Sequence, residues 1–255
     1  PTERVRLGIE RNRSTRPEVH PYRAVAVTRS YQETEGEPLA IRRGRMLYRI
    51  LADQPVTIQK DELIVGMKTL TPRGSPVYPE INCAWVERDL DRLATRKDTP
   101  FYVSDETQRI LRQEVFPYWR GRQLADRINA AVPPDIWKAD DRGVIYNYFR
   151  SRTIGHFQAA YDKVLGRGLE GVIGDAEASM ARRVPAHPDT VGRRQFLESV
   201  ILACRGAIHF AGRYAAEALR LARLEADPGR RAELEEIAAV LARVPARPAV
   251  RFREA

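Results

Sequence analysis

The sequence predicts a mainly α-helical fold, and three observations carry this prediction. Apolar side chains recur at helical spacing over most of the 255 residues. Helix-start signals, such as Ser104 and the Asp227-Pro228 pair, precede several of these stretches. Runs with strand character are short and few. With 43% hydrophobic and 30% charged residues, the chain has a globular balance and enough length to bury a sizeable core.

Two helices are predicted at the start of the chain. The first covers about residues 19–33 and ends before Gly36, where a turn is favoured. The second opens at Pro38 and stops before Pro55, with an apolar stripe at helical spacing between the two prolines.

A small β-hairpin is predicted next. Two β-branched runs, residues 56–58 and 63–65, flank a polar turn. Prolines and a glycine then make residues 70–80 an extended, irregular segment. The predicted fold class is therefore mainly α with one small hairpin.

The middle of the chain returns to helical patterns. One helix is predicted over about residues 81–94. Another starts at Ser104, a good N-cap followed by two acidic residues, and runs to about Tyr118 with a bend at Pro117. Pro133-Pro134 marks a loop.

Helical patterns also fill the last third of the chain. They resume after Gly155, and the glycine-rich run 166–171 within them predicts close packing or a kink. The longest predicted helix covers about residues 189–226. A final helix starts at Asp227-Pro228 and ends near Val244.

The net charge of +9 raises the question of nucleic-acid binding. Arginine dominates the basic residues, and only five lysines occur (Lys60, Lys68, Lys97, Lys138 and Lys163). The arginines are spread along the whole chain, with no basic block of five. No zinc-finger spacing or RNA-binding aromatic strand is present. The sequence therefore disfavours a nucleic-acid partner.

Two other classes are disfavoured on similar grounds. Cys83 and Cys204 lie in neither a CxxC motif nor a Cys/His cluster, so no metal site is expected, and two cysteines fit a reducing cytoplasm. No stretch approaches the roughly 18 apolar residues that a membrane span requires. We expect a cytoplasmic protein without a membrane partner.

Common catalytic motifs are missing, but one polar-aromatic cluster stands out. There is no GxSxG, Walker or HExxH motif, and no GxGxxG motif follows a strand, since the glycine-rich run 166–171 lies within a helical pattern. Residues 146–156 hold two tyrosines, two arginines and a histidine. The cluster is either a surface loop with aromatic anchors or one wall of a substrate pocket. In a pocket, Tyr and His would hydrogen-bond the substrate and Arg would clamp an anion.

Several segments, in order along the chain, resemble the N-terminal third of glycyl radical enzymes. They are residues 31–38, 61–66, 72–80, the Gly155-His156 pair and residues 244–248. These enzymes form the pyruvate formate-lyase-like superfamily. The branch most similar to this sequence contains glycerol and diol dehydratases, choline trimethylamine-lyase, isethionate sulfite-lyase and arylacetate decarboxylases.

The resemblance implies a radical mechanism. In this family a radical S-adenosylmethionine activating enzyme places a radical on a backbone glycine near the C-terminus. A mid-chain cysteine becomes a thiyl radical and takes a hydrogen atom from the substrate, and elimination of water, amine, sulfite or carbon dioxide follows. Both radical loops lie inside a ten-stranded α/β barrel. The full-length enzyme is expected to be a homodimer.

The sequence departs from the family pattern in its catalytic loops. Neither Cys83 nor Cys204 lies in a Gly-Cys-Val-Glu-type motif, and no Arg-Val-x-Gly-Tyr-type loop occurs. We therefore expect residues 1–255 to be a truncated N-terminal pyruvate formate-lyase-like region, without the barrel and the glycyl radical domain. This fragment would hold no catalytic residue and no bound cofactor, and it would be inactive alone.

The resemblance also implies substrate-binding residues. Glycerol dehydratase-like members use the His of the Gly-His pair, here His156, to face substrate hydroxyls. Choline lyase-like members carry a Tyr eight residues earlier, here Tyr148. Sulfite-lyase-like members carry an Arg four residues earlier, here Arg152. Spacings of four and eight favour a common face on a helix or a strand.

Three functions stay open from the sequence. The first is radical elimination from a small anionic substrate, because a buried sulfonate or carboxylate needs a paired cation such as Arg152. The second is dehydration of a neutral diol, with Arg152 in a structural salt bridge. The third is a non-catalytic helical interaction module.

Overall fold

The computed structural model describes residues 2–146, 160–182 and 188–255. The α-helices of these residues are α1 (Glu3–Ser14), α2 (Tyr22–Glu33), α3 (Leu39–Asp53), α4 (Ala84–Asp89), α5 (Asp105–Ile110), α6 (Phe116–Trp119), α7 (Leu124–Ala131), α8 (Pro134–Asp141), α9 (Tyr161–Ala181), α10 (Pro188–Leu224) and α11 (Pro228–Leu241). Short 3-10 helices cover Leu90–Thr95 and Phe252–Glu254, and one π-helical turn covers Leu111–Val115. The strands are β1 (Glu18–His20) and β2 (Gly74–Pro76). The predicted mainly α fold is confirmed.

The described residues form two compact units. Unit 1 contains residues up to 15, residues 29–72, and those from 160 onwards. Unit 2 contains residues 16–28 and 73–146. Helix α2 contributes its first part to unit 2 and its last part to unit 1.

Helix α10 is the centre of unit 1, and α3, α9 and α11 all pack against it. Its C-terminal half presents small side chains, so α11 can approach closely. The buried cluster there consists of Ile58, Tyr214, Ala218, Ala222, Leu234, Ile237 and Ala238. Burial of apolar surface, worth about 25 cal/mol per Å², stabilises this contact between α10 and α11.

Unit 2 is built around a short parallel β-pair. Glu18, Val19 and His20 of β1 pair in register with residues 74–76 of β2. Glu18 also forms a bridge to Tyr102.

The indole N–H of Trp119 donates to the Thr28 hydroxyl at 2.9 Å, and both side chains are buried. This bond satisfies the one polar group of a large buried aromatic side chain.

The β-hairpin expected at residues 56–58 and 63–65 does not form. The paired strands of the described residues are β1 and β2, which are parallel and lie elsewhere. Val56, Ile58 and Val65 instead pack on the α10–α11 cluster. The carbonyls of Gln59 and Glu62, in the segment between the two runs, accept hydrogen bonds from the Arg230 guanidinium, which ties this segment to α11.

The predicted start of the first helix also needs a small correction. Residues 18–20 are extended in β1, and α2 begins at Tyr22. Pro21 disfavours the helical conformation at the residue before it, so the helix cannot begin earlier.

The predicted helix-start signals are confirmed. The Ser104 hydroxyl accepts from the Thr107 N–H at 3.1 Å, and α3 follows Pro38 directly. The Asp227 carboxylate accepts from the N–H groups of Gly229 and Arg230. Each signal acts within four residues along the chain, which is why sequence alone locates it.

Candidate functional site

The predicted pocket residues, Tyr148, Arg152 and His156, lie outside the described residues. The structure describes the residues that lead into this segment and those that follow it. On the leading side α8 ends at Asp141, and Gly143 has a positive φ of 71° in the turn that follows. Tyr146, the last described residue before the segment, is 85% exposed.

On the following side the chain enters α9 at Tyr161, five residues after His156. The helical path is interrupted at Gly168, which has φ 68° and ψ 170°. There the backbone pairs with a distant segment, residues 245–249. The Leu169 and Glu170 N–H groups donate to the carbonyls of Pro245 and Ala246, at 2.8 and 2.9 Å.

The two cysteines are structural groups. Cys83 is 1% exposed and Cys204 is also buried. Burial raises the pKa of the Cys83 thiol to about 12, with a further contribution from the charge of Glu87. Burial raises the pKa of the Cys204 thiol as well. Both thiols are therefore protonated at neutral pH and are not activated as thiolate nucleophiles.

Cys83 also belongs to a helix start in unit 2. Its N–H donates to the Gln123 side-chain oxygen at 2.5 Å, and the Ala84 N–H donates to the same oxygen at 3.2 Å. Two donors at the beginning of α4 are thus satisfied by a side chain 40 positions later in the sequence. No local sequence pattern predicts this long-range cap.

A surface groove of about 730 Å³ lies in unit 1, between α1 and the start of α11. Its charged side chains are mostly paired with one another. Arg4 and Arg230 both bind the carboxylate of Glu233, and Arg11 binds that of Asp61. The hydrogen bond from Arg230 is the main cause that lowers the pKa of Glu233. These pairs fix α1 to α11 and the 59–62 turn, and they give the groove a structural role.

A partly buried ion pair lies in unit 2. The Arg23 guanidinium on α2 binds both carboxylate oxygens of Glu80 and also donates to the Val77 carbonyl at 3.3 Å. It stacks over the Tyr78 ring at 3.9 Å from the centroid. All three partners lie within residues 77–80, so this arginine holds the irregular segment against α2.

Two further findings concern possible metal sites and membrane-spanning helices in the part of the chain that is described. No group of three or more His, Cys, Asp or Glu side chains there could hold a metal ion. No helix there combines the length and the apolar character that crossing a membrane requires.

Comparison with known proteins gives consistent results. The sequence profile described as "Pyruvate formate lyase-like" matches residues 2–255. Isethionate sulfite-lyase from Nitratidesulfovibrio vulgaris strain Hildenborough is 33% identical over 263 residues, which cover 99% of this chain and 32% of that protein.

Two solved structures are similar over the whole chain. The glycerol-bound B12-independent glycerol dehydratase from Clostridium butyricum has a TM-score of 0.94 and 34% identity, and the match covers 99% of this chain and 32% of that one. A Roseburia inulinivorans structure concerned with 1,2-propanediol dehydration has a TM-score of 0.95 and 32% identity, covering 100% of this chain and 30% of that one. The chain thus spans about a third of the length of the relatives it matches.

Proposed function

The chain belongs to the pyruvate formate lyase-like family, and from this premise we propose that it forms the N-terminal portion of a glycyl radical lyase that acts on a small anionic substrate. The lyase class is supported by the relatives, which include a sulfite-lyase and a glycerol dehydratase. In the full-length enzyme, this chain would form one wall of the substrate pocket.

The radical chemistry itself is proposed to belong to groups outside these 255 residues. A glycyl radical, installed by a radical S-adenosylmethionine activating enzyme, would take the hydrogen atom of a cysteine thiol, and the resulting thiyl radical would take a hydrogen atom from the substrate. Neither Cys83 nor Cys204 is proposed for this role, since both are buried among core side chains. This chain contributes binding and orientation.

Three residues are proposed to bind the substrate. Arg152 would pair with a sulfonate or carboxylate, because a charge removed from water is stable only when it is paired. The planar guanidinium offers two parallel N–H donors, which fit both oxygens of such an anion. Tyr148 and His156 would hydrogen-bond the remaining polar groups.

The observation that supports the proposal of an anionic substrate is the likeness to isethionate sulfite-lyase. It extends over 99% of this chain at 33% identity. The name of that relative denotes the elimination of sulfite from an anionic sulfonate. Arg152 is the basic residue that the family pattern places in the candidate cluster.

A second candidate is a neutral-diol dehydratase. The likeness to glycerol dehydratase, at 34% identity and a TM-score of 0.94, favours it. The Gly155-His156 pair fits this alternative equally well, because a neutral histidine can donate to or accept from a hydroxyl. Arg152 would then pair with a protein carboxylate.

A substrate panel separates the two candidates. A full-length enzyme that carries this chain is activated anaerobically with its activating enzyme and S-adenosylmethionine, and its radical content is measured by EPR. Isethionate, a hydroxylated carboxylate, glycerol and 1,2-propanediol are then compared at equal radical content. Turnover of the anionic compounds supports the proposal, whereas turnover of the diols alone would reject it in favour of the dehydratase.

The proposed partners follow from the same assignment. They are the small-molecule substrate, the activating enzyme and a second copy in a full-length homodimer, in the cytoplasm. The chain without the radical glycine and thiyl cysteine is expected to show no glycyl EPR signal after incubation with the activating enzyme.

A further inference from the structure

Helix α1 turns a polar face toward the rest of unit 1. Its half-buried positions are Arg4, Gly8 and Arg11, which recur at helical spacing and therefore share one face. The apolar side chains of the helix are 49, 48 and 44% exposed, at Val5, Leu7 and Ile9. No residue of α1 is buried. Burial of apolar side chains therefore contributes little to holding this helix in place.

Ion pairs hold α1 near both of its ends instead. Near its start, the Arg4 guanidinium binds the Glu233 carboxylate at 2.5 Å and donates to the Asp61 carbonyl at 2.9 Å. Near its end, Arg11 binds the Asp61 carboxylate. Between them, a Cβ at Gly8 would lie 3.2 Å from that carboxylate, so the glycine lets the helix approach it closely. Two carboxylates therefore face the polar side of α1.

The surface beneath α1 is held together without this helix. The Arg230 guanidinium, which is 8% exposed, donates to the Gln59 and Glu62 carbonyls and to Glu233. These bonds join the 59–62 segment to α11, and none of them involves a residue of α1. When α1 leaves, Glu233 keeps its bond to Arg230, and Asp61 lies at the surface that α1 covered. Detachment therefore avoids the costly outcome of a buried charge without a partner.

We propose that α1 is an electrostatic strap, a helix that Asp61 and Glu233 hold on unit 1 and that ionic strength releases as a unit while α10 and α11 stay folded. Salt acts on this contact because the paired side chains are partly exposed, and screening shortens the range of their attraction from about 10 Å at 0.1 M salt to about 3 Å at 1 M. A helix of 12 residues is marginal alone in water, so a detached α1 also unwinds. Its release uncovers the 59–62 segment and the first half of α11.

Hydrogen exchange of the α1 amides measures this release. The intact chain is compared in about 0.05 M and about 1 M sodium chloride. The matched variants are Arg11→Gln and Arg13→Gln, which make the same change within the last turn of α1. Arg11 binds Asp61, whereas Arg13 lies on the exposed face. The amides of Ile237 and Ala238, in the α10–α11 cluster, report on the fold beneath the strap.

We expect the high salt concentration and Arg11→Gln each to accelerate exchange of the α1 amides by about tenfold or more, the effect of losing a charge-assisted hydrogen bond. Arg13→Gln should stay within about twofold of the parent. Exchange at residues 237 and 238 should not change. Unchanged α1 exchange in high salt or in Arg11→Gln overturns the proposal, and so does an equal acceleration in Arg13→Gln. An equal acceleration at residues 237 and 238 overturns it as well, because α1 would then open only together with the whole unit.

Asp61→Asn tests the same contact from the other side. This variant keeps the size of the side chain but removes the charge that Arg11 binds, so it should accelerate α1 exchange by a similar factor. Asp175→Asn is its control, because it removes the carboxylate of an exposed pair with Arg167 on α9 and should leave α1 exchange unchanged. The double variant of Arg11→Gln and Asp61→Asn should exchange no faster than the faster single variant, since both changes remove one contact. Additive acceleration in the double variant would reject the strap.

Discussion

Gly44 of α3 lies directly against the backbone of Ser199 on α10. A Cβ at position 44 would be 2.9 Å from the Ser199 Cα and 3.0 Å from both its carbonyl and hydroxyl oxygens. Gly206 of α10 has a similar relationship to Tyr48 of α3, where the Cβ would be 3.0 Å from the Tyr48 Cα. One glycine on each helix therefore permits the close contact on which unit 1 is built.

This contact predicts opposite effects for two Gly→Ala substitutions. Gly44→Ala forces α3 away from α10 and should destabilise the protein by about 1–3 kcal/mol, the usual cost of overpacking. Gly212→Ala on α10 meets nothing within 4 Å, so it should stabilise by up to about 1 kcal/mol through helix propensity. Urea unfolding followed by far-UV circular dichroism measures both. Equal stability of the two variants would contradict the contact.

Features of the fold that depend on residues close together in the sequence are predictable from the sequence alone. Ser104 and Asp227 cap helices within three residues, and Pro38 precedes α3 directly. A long helix over about residues 189–226 is also predicted, because its apolar pattern extends over many turns, and the structure has it at Pro188–Leu224. Propensity and capping act locally, so the sequence alone reveals them.

Features that depend on distant partners could not be predicted. The 56–58 and 63–65 runs have strand character, but they pack on the α10–α11 cluster, and Arg230, 168 positions after Glu62, binds the segment between them. The strand pair that does form joins residues 56 positions apart. The glycine-rich run 166–171 indicated close packing or a kink, and the structure shows both at Gly168, but the packing partner, Arg247, was not identifiable.

The candidate site shows the same division. The dense cluster of residues 146–156 was visible from composition, but the roles of Tyr148, Arg152 and His156 came from the family resemblance. The role of a residue in a pocket wall depends on the groups that face it across the pocket. The spacing of residues in the sequence does not identify those groups.

A substitution of Arg230 tests the side chain that binds the 59–62 segment. Its side chain is 8% exposed and donates to the carbonyls of Gln59 and Glu62, at 3.0 and 2.8 Å, as well as to Glu233. The single ammonium group of a lysine cannot bind both carbonyls and the carboxylate as the planar guanidinium does. Arg230→Lys should therefore cost about 1–3 kcal/mol of stability.

Arg220→Lys is the matched control for this prediction. Arg220 is exposed on α10 and pairs with Glu217 one turn earlier, an interaction that is worth little in water. Its stability should change by less than about 0.5 kcal/mol. Thermal unfolding of both variants gives the comparison, and equal melting temperatures would show that the two carbonyls do not need Arg230.

The pKa of Cys83 predicts a loss of stability in alkaline solution. The pKa is raised from 9.0 to about 12 in the folded protein, first by burial and then by the charge of Glu87. Between these values the folded state binds more protons than the unfolded state, so stability falls as the pH rises. The stabilising contribution is complete below about pH 9 and is lost progressively toward about pH 12.

Cys83→Ala removes this titration and should make the decline of stability above pH 9 shallower. Cys204→Ala is the control, because Cys204 is less deeply buried and carboxylates do not contribute to its raised pKa. Unfolding midpoints in urea between pH 8 and pH 11 measure the slopes. The prediction is wrong if Cys83→Ala and the parent chain decline in parallel.

Arg152→Lys tests the anion-binding role in the full-length enzyme. The substitution keeps the positive charge but loses the planar pair of N–H donors that a sulfonate or carboxylate would bind. Binding of an anionic substrate should weaken by about 1–3 kcal/mol, typical for a charge-assisted hydrogen bond. KM and kcat at equal glycyl radical content separate weaker binding from poorer activation.

Arg142→Lys, in the exposed turn after α8, is the control and should leave both constants unchanged. If Arg152→Lys leaves affinity and turnover unchanged for every accepted substrate, the anionic substrate is rejected. The neutral-diol dehydratase then becomes the better assignment, because a hydroxylated substrate has no charge for Arg152 to pair with.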